Sequence, residues 1–404
     1  MTNTEKILVR GVNWLGDAVM TTPALQRLRA AKPDARITLL TPEKLAALWP
    51  GHPSVDATIT FNDHDSVFSV AKRLRAERFD CAVVFPNSPR SALEVFLARI
   101  PRRIGYARGG RNFLLTDALP PRAGAVKMHK RSVAEIQQRL AANVPRETFL
   151  AEAHHVHDYL QLVAALGANP EPLPPLLHVS DDEVAAARAH FKLDGPGPLF
   201  ALNPGAEYGA AKRWPAERFV EAAVSLHKRT GCRWVVLGGR ADVELTGDIA
   251  KQIAARTSAA FVTSVSGQTS LRELCAVLKA CALVITNDTG PMHVAAALGV
   301  PLVVPFGSTS PELTGPISVV GQAPPPVSSL ASALACRTAG GGACSTKTGE
   351  GASPTSPPHA LLRGEAACAP CFLRECPVDF RCMKSISAQQ VVEAALAVWS
   401  GPMR

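Results

Sequence analysis

The most informative stretch of this chain is Asn287-Asp288-Thr289-Gly290-Pro291-Met292-His293-Val294-Ala295-Ala296-Ala297-Leu298-Gly299. It follows the apolar run 282–286, which predicts a buried strand. Asp288 and Thr289 are good helix-capping residues, and Pro291 suits a first helical turn. A strand that passes through a tight turn into a helix presents unpaired backbone N–H groups at the positive end of the helix dipole. The stretch therefore predicts either a phosphate-binding turn or an ordinary strand-to-helix turn of an α/β protein.

Strand-like and helix-like segments alternate on both sides of this stretch. A proline-rich stretch around 166–198 separates two such runs and predicts a linker. Alternation of this kind indicates parallel sheets that are covered by helices on both faces. We therefore expect an α/β fold with two Rossmann-like domains, residues 1–175 and 176–404, facing each other across a cleft.

The composition is that of a globular protein with an anionic partner. At 404 residues the chain is too long for one core of ordinary size, which agrees with two domains. The formal net charge of +9 indicates nucleotides, nucleic acid or an acidic membrane surface as partners. The alternative is a bias toward basic proteins throughout the organism. Aromatic residues make up only 5% of the chain and do not interleave with basic ones, so we expect no nucleic acid partner.

The apolar runs are too short or too interrupted to span a bilayer. The start of the chain lacks the apolar core of a signal peptide. These features predict a cytoplasmic protein, whose cysteines would be thiols or metal ligands rather than disulfides.

The C-terminal region contains two unusual segments. Residues 321–367 are rich in Gly, Ala, Pro, Ser and Thr without periodicity, which predicts a largely disordered or loosely packed insertion. A cysteine-rich segment, 368–382, then places Cys368, Cys371, Cys376 and Cys382 at spacings that suit a structural Zn or Fe–S site. The spacing is not a regular pair of CxxC motifs, and unliganded thiols are the alternative.

The loop 11–17 joins the first predicted strand to the first helix. Gly11 and Gly16 let a ligand approach the backbone closely, but the loop is neither a dinucleotide fingerprint nor a P-loop. Asp17 at the start of the helix is either a helix cap or a general base that faces the cleft.

The loop 203–215 follows the first strand of the second half. Lys212 and Arg213 precede a helix N-terminus, where the helix dipole disfavours cations, so a bound anion explains them better than solvent does. Basic residues also accumulate between positions 90 and 131. They form either a solvated face or a site for an acceptor that carries phosphates or sugar acids.

In combination, these loops resemble those of the ADP-heptose:lipopolysaccharide heptosyltransferases, and among them the heptosyltransferase II type. The matching segments are 7–20, 86–93, 204–215, 286–298 and 305–311. The resemblance implies a GT-B fold, a nucleotide-sugar donor in the C-terminal half, an acceptor in the N-terminal half and no required metal.

The resemblance also implies roles for individual residues. Asp17 corresponds to the base that takes the proton of the acceptor hydroxyl, and Lys212 to the cation that neutralises the leaving diphosphate. The implied donor-binding residues are Gly205, Glu244 (ribose or adenine), Asp288 (sugar hydroxyls, or a helix cap), Thr289 and Gly290 (phosphate), and His293 (phosphate or sugar). The implied acceptor-binding residues are Asn13, Trp14, Asn87 and Arg108.

Two features depart from the family pattern. The insertion at 321–367 is unusually long, and residues 61–65 lack the basic cluster of heptosyltransferase I, which leaves the acceptor open. The function expected is inverting heptose transfer from ADP-heptose to heptosyl-Kdo2-lipid A, at the cytoplasmic face of the inner membrane. The alternatives are a glycosyltransferase that uses another nucleotide-sugar or acceptor, and a nucleotide-sugar-binding protein without turnover.

Overall fold

The structure is a computed structural model that describes residues 4–317 and 359–401. Most of the predicted insertion, residues 321–358, lies outside the described residues. The described part contains two parallel six-stranded sheets, each covered by helices.

The first sheet belongs to the N-terminal half of the chain. Its strand order is β3-β2-β1-β4-β5-β6, and every pair is parallel. The strands are β1 (Lys6–Arg10), β2 (Arg36–Pro42), β3 (Ala57–Phe61), β4 (Cys81–Val84), β5 (Arg102–Tyr106) and β6 (Asp117–Leu119). The helices of this half are α1 (Leu15–Met20), α2 (Thr22–Ala31), α3 (Val67–Glu77), α4 (Pro89–Leu97), α5 (Val133–Ala141) and α6 (Val156–Ala164).

The second sheet repeats this topology in the C-terminal half. Its order is β12-β11-β10-β7-β8-β9, again all parallel. The strands are β7 (Leu199–Asn203), β8 (Arg233–Val236), β9 (Val262–Ser264), β10 (Leu283–Thr286), β11 (Leu302–Phe306) and β12 (His359–Arg363). The helices are α7 (Asp181–His190), α8 (Ala216–Thr230), α9 (Val243–Arg256), α10 (Leu271–Lys279), α11 (Gly290–Ala297), α12 (Pro311–Thr314), α13 (Arg381–Lys384) and α14 (Ala388–Val398).

Both sheets have the strand order of a doubly wound Rossmann fold. In this order the first and fourth strands lie side by side, and their connections leave to opposite faces of the sheet. The crevice that results lies at the carboxyl ends of β1 and β4 in the first sheet, and of β7 and β10 in the second. The loops 11–14 and 204–215 and the turn 287–289 begin at these ends.

The two halves meet where α1 packs against α11. A Cβ atom on Gly16 of α1 would lie 2.7 Å from the His293 ring, and one on Gly290 of α11 would lie 2.7 Å from the Leu15 side chain. Each helix therefore presents a glycine to the other, and the missing side chains permit the close approach. Apolar residues of both halves continue this contact as one buried cluster, including Val19 and Met292.

A second contact between the halves is made by residues 122–149, here called the bridging segment. The backbone N–H of Arg131 donates to the carbonyl of Cys371 (3.1 Å), and its guanidinium donates to the carbonyl of Cys368 (2.8 Å). Ile136 of α5 packs against the same two cysteines. The bridging segment thus joins β6 of the first sheet to the cysteine-rich segment that follows the second.

The α/β class and the two-sheet architecture that the sequence predicts are confirmed. Two details of the prediction are wrong. The helix expected to start at Asp17 begins at Leu15 instead and ends at Met20, with only Thr21 between it and α2. The final part of the expected disordered insertion, 359–363, forms β12, because Ala360 and Leu362 pack into the core beside β11. The boundary between residues 175 and 176 stays a prediction.

Among residues 4–317 and 359–401, no helix combines the length and the apolar character needed to cross a bilayer.

Candidate functional site

The first loop of the site is held in place by Arg10 at the end of β1. Its guanidinium forms a buried ion pair with Glu94 of α4 (2.9 Å). It also donates to the carbonyl of Gly11 (2.6 Å) and to the side-chain oxygen of Asn13 (3.2 Å). These bonds leave Trp14 exposed at the start of α1, with the Lys44 ammonium 5.5 Å from its ring centre.

Asp17 is the third residue of α1 and makes no hydrogen bond that would cap the helix. Burial raises the pKa of Asp17 to about 6, the Lys212 ammonium opposes this rise, and the Asp288 carboxylate adds to it. Because Lys212 and Asp288 belong to the second half, Asp17 faces them across the crevice. A carboxylate with a pKa of about 6 is ionised at pH 7 and is a stronger base than an ordinary aspartate.

The second loop, 204–215, is held to the end of β10 by Asn287. The side-chain amide of Asn287 donates to the carbonyl of Pro204 (2.7 Å), and its oxygen accepts from the backbone N–H of Trp214 (3.0 Å). Asn287 is fully buried, so both ends of the loop are fixed to the sheet. The position of Lys212 within the loop follows from this anchoring.

Lys212 forms an ion pair with Asp288 at 2.7 Å between Nζ and Oδ2. The hydroxyl of Thr309, at the end of β11, donates to the same carboxylate oxygen (2.7 Å). Burial opposes ionisation of Asp288, but the charge and hydrogen bond of Lys212 and the hydrogen bond of Thr309 outweigh it and lower its pKa. The pair is therefore ionised, with side chains only 15% and 5% exposed.

The N-terminus of α11 adjoins this pair without a capping side chain. Thr289 is the residue before the helix, has an extended backbone and makes no side-chain capping bond. By contrast, α10 begins with a complete capping box of Ser270 and Glu273. The expected cap by Asp288 or Thr289 is therefore absent, and the first amides of α11, from Gly290, are available to an anion.

His293 is neutral at physiological pH, because burial lowers its pKa to about 4. Its ring packs on Gly16 and lines a small cavity with Val19 and Met20. Without a positive charge, His293 can contact a phosphate or a sugar only as a neutral hydrogen-bonding ring.

The remaining predicted donor residues lie along the same side of the second sheet. Gly205 is buried, and a Cβ atom there would lie 2.3 Å from the Asp242 carboxylate, so a larger residue would displace that side chain. Glu244 is exposed in the first turn of α9. Its neighbour Leu245 lines a cavity of about 300 Å³ together with Arg213. That volume is at the lower end of the range for small-molecule sites.

The predicted acceptor residues lie at the carboxyl edge of the first sheet. Asn87 accepts a hydrogen bond from Arg111 (3.3 Å) in the loop after β4. Arg108 follows β5, is exposed, and lies 5.8 Å from the ring centre of Tyr106. Because Arg111 is buried among backbone carbonyls, it has a structural role rather than one in binding.

The four cysteines Cys368, Cys371, Cys376 and Cys382 line one small apolar cavity. Burial, together with the three neighbouring thiols, raises the pKa of Cys382 to about 12. The backbone N–H of Phe380 donates to the sulfur of Cys376 (3.2 Å). Within 4–317 and 359–401, however, no group of three or more metal-ligating side chains is arranged to hold an ion, so the metal site stays a prediction.

Sequence reasoning assigned no role to several residues that shape the site. Asn287 lies directly after β10 and Thr309 three residues after the end of β11, and these positions close to strand ends are the signal that identifies them. Tyr159 of α6 lies close enough to Asp17 for the carboxylate to add to the rise in its pKa that burial causes. Nothing in the sequence brings Tyr159 to this place, because its partner lies far away along the chain.

Comparison with known proteins gives one consistent result. The sequence model of glycosyltransferase family 9 (heptosyltransferase) matches residues 67–323. Lipopolysaccharide heptosyltransferase 2 of Salmonella typhimurium is 33% identical over 320 residues, which cover 78% of this chain and 86% of that protein.

Solved structures agree with this result. The structure of Escherichia coli ADP-heptose LPS heptosyltransferase II matches with a TM-score of 0.63 and 30% identity, over 78% of this chain and 91% of the other. A glycosyl transferase of family 9 from Veillonella parvula matches with a TM-score of 0.69 and 21% identity, over 98% and 97% of the two chains. At that identity the second match shows the fold alone.

Proposed function

This chain belongs to glycosyltransferase family 9, as its loop motifs indicate, and from this membership and its crevice we propose the reaction that it catalyses. The reaction is inverting transfer of L-glycero-D-manno-heptose from ADP-heptose to a heptosyl-Kdo2-lipid A acceptor. The observation that carries the proposal is the buried carboxylate of Asp17 in the first half, whose pKa is influenced by the Lys212 ammonium and the Asp288 carboxylate of the second half. The relatives named for heptosyltransferase II activity support the choice of sugar and acceptor.

We place the donor in the second half. The uncapped N-terminus of α11 and the ammonium of Lys212 are both suited to a diphosphate, which carries its charge within a few ångströms. In the free protein Asp288 neutralises Lys212, and a bound diphosphate would share this cation. The cavity beside Leu245 and Arg213 is the place we propose for the nucleoside, with Glu244 at its rim.

Asp17 is the proposed general base. The acceptor hydroxyl attacks the anomeric carbon opposite the diphosphate while Asp17 takes the hydroxyl proton. The bond from the anomeric carbon to the diphosphate oxygen breaks, and its electron pair leaves with ADP. The negative charge that grows on the diphosphate is stabilised by Lys212 and by the amides of Thr289 and Gly290. General base catalysis of this kind contributes roughly 10²–10⁴-fold.

No divalent cation has a role in this proposal, because Lys212 and the helix N-terminus supply the positive charge that a metal would otherwise supply. The acceptor is assigned to the first half, where Asn13, Trp14, Asn87 and Arg108 lie at the sheet edge on the Asp17 side.

We also propose that the protein works on the cytoplasmic face of the inner membrane as a peripheral protein. Three exposed phenylalanines support this location: Phe68 of α3 (73% exposed), Phe96 of α4 (41%) and Phe113 (76%) in the turn that contacts α4. Two exposed basic residues lie nearby along the chain, Lys72 on α3 and Arg99 just after the end of α4. Apolar side chains beside cations are suited to an anionic lipid surface.

The experiment that tests the proposed reaction measures ADP release from ADP-heptose with and without heptosyl-Kdo2-lipid A. We expect release that depends on the acceptor and continues in EDTA. If the nucleotide is released only from another nucleotide-sugar, that compound and not ADP-heptose is the donor. Donor binding without any turnover would indicate a binding protein instead.

A further inference from the structure

The ring of Tyr208 lies among three cations that come from three parts of the chain. Lys130 belongs to the bridging segment, Lys212 to the same loop as Tyr208, and Arg374 to the cysteine-rich segment. The Lys130 and Lys212 ammonium nitrogens lie 6.0 and 5.0 Å from the ring centre, and the Arg374 guanidinium carbon lies 5.2 Å from it. All three distances are within the range of cation–π contacts.

The backbone on which these side chains stand is fixed. The Tyr208 hydroxyl donates to the carbonyl of Phe372 (2.9 Å), and the backbone N–H of Ala211 donates to the carbonyl of Arg374 (2.9 Å). Gly209 has a positive φ of 153°, and a Cβ atom there would lie 2.3 Å from the carbonyl oxygen of Arg374. On the other side, Arg131 holds the bridging segment to the cysteine-rich segment directly beside Lys130.

Among the described residues, two of the three cations have no acidic partner. Lys212 is paired with Asp288, and the nearby Arg131 and Arg213 are paired with Glu147 and Asp242. In the part of the chain that the structure describes, Lys130 and Arg374 form neither an ion pair nor a side-chain hydrogen bond, and both are exposed. Like charges gathered on one ring repel each other, and a ring contact of roughly 0.5–1 kcal/mol at an exposed site compensates only in part. An anion is the complement that this arrangement lacks.

We propose that Lys130 and Arg374, gathered on Tyr208, bind an acidic group of the sugar acceptor, either a phosphate or a carboxylate. The proposal rests on the proposed function, which supplies the acceptor, and extends its binding site from the first half to the outer rim of the crevice.

The positions of Lys130 and Arg374 favour the acceptor rather than the donor as their ligand. Lys212 and the α11 N-terminus lie at the more buried side, where one compact diphosphate can contact both. Lys130 and Arg374 are both exposed, and an exposed position suits a large acceptor that extends out of the crevice. Lys130 is also connected through the bridging segment to the half that contains Asp17.

Steady-state kinetics of Lys130→Ala, Arg374→Ala and the double variant test the site. We expect each substitution to raise the acceptor KM by roughly threefold to tenfold, because each removes one charge-assisted contact at a screened site. The kcat and the donor KM should stay within twofold of wild type, and added salt should reduce the difference. Arg374→Lys should keep most of the affinity. Lys251→Ala, which removes an exposed lysine of α9, is the matched control.

Acceptors without phosphates and acceptors with reduced carboxyl groups identify the acidic group. It is the group whose removal from the acceptor makes the acceptor KM of wild type equal to that of the double variant. A rise in donor KM, or weaker calorimetric binding of ADP alone, would instead assign the cations to the donor and overturn the proposal. An unchanged acceptor KM in the double variant would also overturn it.

Binding of the deacylated acceptor alone separates this proposal from the reaction itself. If wild type shows no transfer from ADP-heptose, the proposed reaction fails. The anion site then still predicts that the double variant binds the acceptor more weakly than Lys251→Ala does, and equal binding would contradict it.

Discussion

Asp17 is placed where its charge is costly, and its proposed role depends on that charge. Its pKa is about 6 because burial disfavours the carboxylate, with Asp288 acting in the same direction and Lys212 against it. Groups whose surroundings disfavour their charged form are found most often at functional sites. The same residue is therefore expected to lower stability and to support activity.

We expect Asp17→Asn to reduce kcat by roughly 10²–10⁴-fold while it raises Tm. The neutral amide avoids the cost of the buried charge, and Tm should rise by roughly 2–4 °C for each kcal/mol gained. The measurements are ADP release and thermal unfolding at pH 7. Asp248→Asn, at an exposed surface pair, should change neither.

The pH dependence follows from the direction of the Asp17 shift. Between its unfolded pKa of about 4 and its folded pKa of about 6, the folded state binds the extra proton. The stability that Asp17 contributes is therefore greatest below pH 4 and is lost as the pH rises to about 6. In the same interval kcat/KM should rise and then level off. An Asp17→Asn variant that keeps the wild-type pH profile would exclude Asp17 as the base.

Helices α1 and α11 carry the contact on which the crevice depends. Each presents a glycine to the other, and the first turns of both helices adjoin the proposed reaction centre. An added methyl group at this contact is expected to separate the halves rather than fill space, because the space is already occupied.

We expect Gly16→Ala to lower the free energy of unfolding by roughly 1–3 kcal/mol through its clash with His293. In a His293→Ala background the clash is absent. The higher helix propensity of alanine should then make the same change neutral or stabilising, by up to about 1 kcal/mol. Denaturant unfolding of the four proteins of this double-mutant cycle measures the coupling. Gly247→Ala, in α9 with open space around it, is the control and should be stabilising in both backgrounds. If the effects of Gly16→Ala and His293→Ala are additive, they contradict the contact between Gly16 and His293.

The cysteine-rich segment supports the site whether or not it binds metal. Its carbonyl groups accept hydrogen bonds from Ala211 and Arg131, and it brings Arg374 to Tyr208. Its four thiols share one cavity, which is the arrangement that the sequence spacing suggested, although it is not an assembled metal site.

If the predicted structural metal site exists, the protein purified without oxygen should contain close to one equivalent of zinc or one cluster per chain. Elemental analysis tests this, and Cys371→Ala should lose the metal while Cys281→Ala, in the core of the second half, should keep it. Less than roughly a tenth of an equivalent in wild type would contradict the prediction.

In the molecule as a whole, the proposed membrane contact lies on α3, α4 and the turn after β5. Replacing Phe68 and Phe113 with Ser should reduce binding to vesicles that contain anionic lipid by roughly tenfold, because two largely exposed aromatic rings lose their apolar contact. Co-sedimentation measures this, and Leu150→Ser, at an equally exposed position directly after the bridging segment, is the control. Equal loss in the control would show that the effect is not specific to this surface.

The amino-acid sequence determines the local structure of this protein and the residue types of its site. Alternating apolar strands and helices predict two parallel sheets, since each pattern depends on neighbours along the chain. Loop residues such as Lys212 and Asp17 stand out because they follow strand ends, where parallel sheets bind ligands. The sequence does not predict the final strand, β12, because five residues beside a low-complexity stretch are too few to show a periodic pattern of apolar residues.

Which charged side chains lie close together depends on the tertiary structure. The pairing of Lys212 with Asp288, the pKa of Asp17 and the cations around Tyr208 join residues dozens to hundreds of positions apart. Burial sets their energies, and burial depends on how the two halves pack. The sequence names the chemical groups of the crevice, and the packing of the two sheets determines what those groups can do.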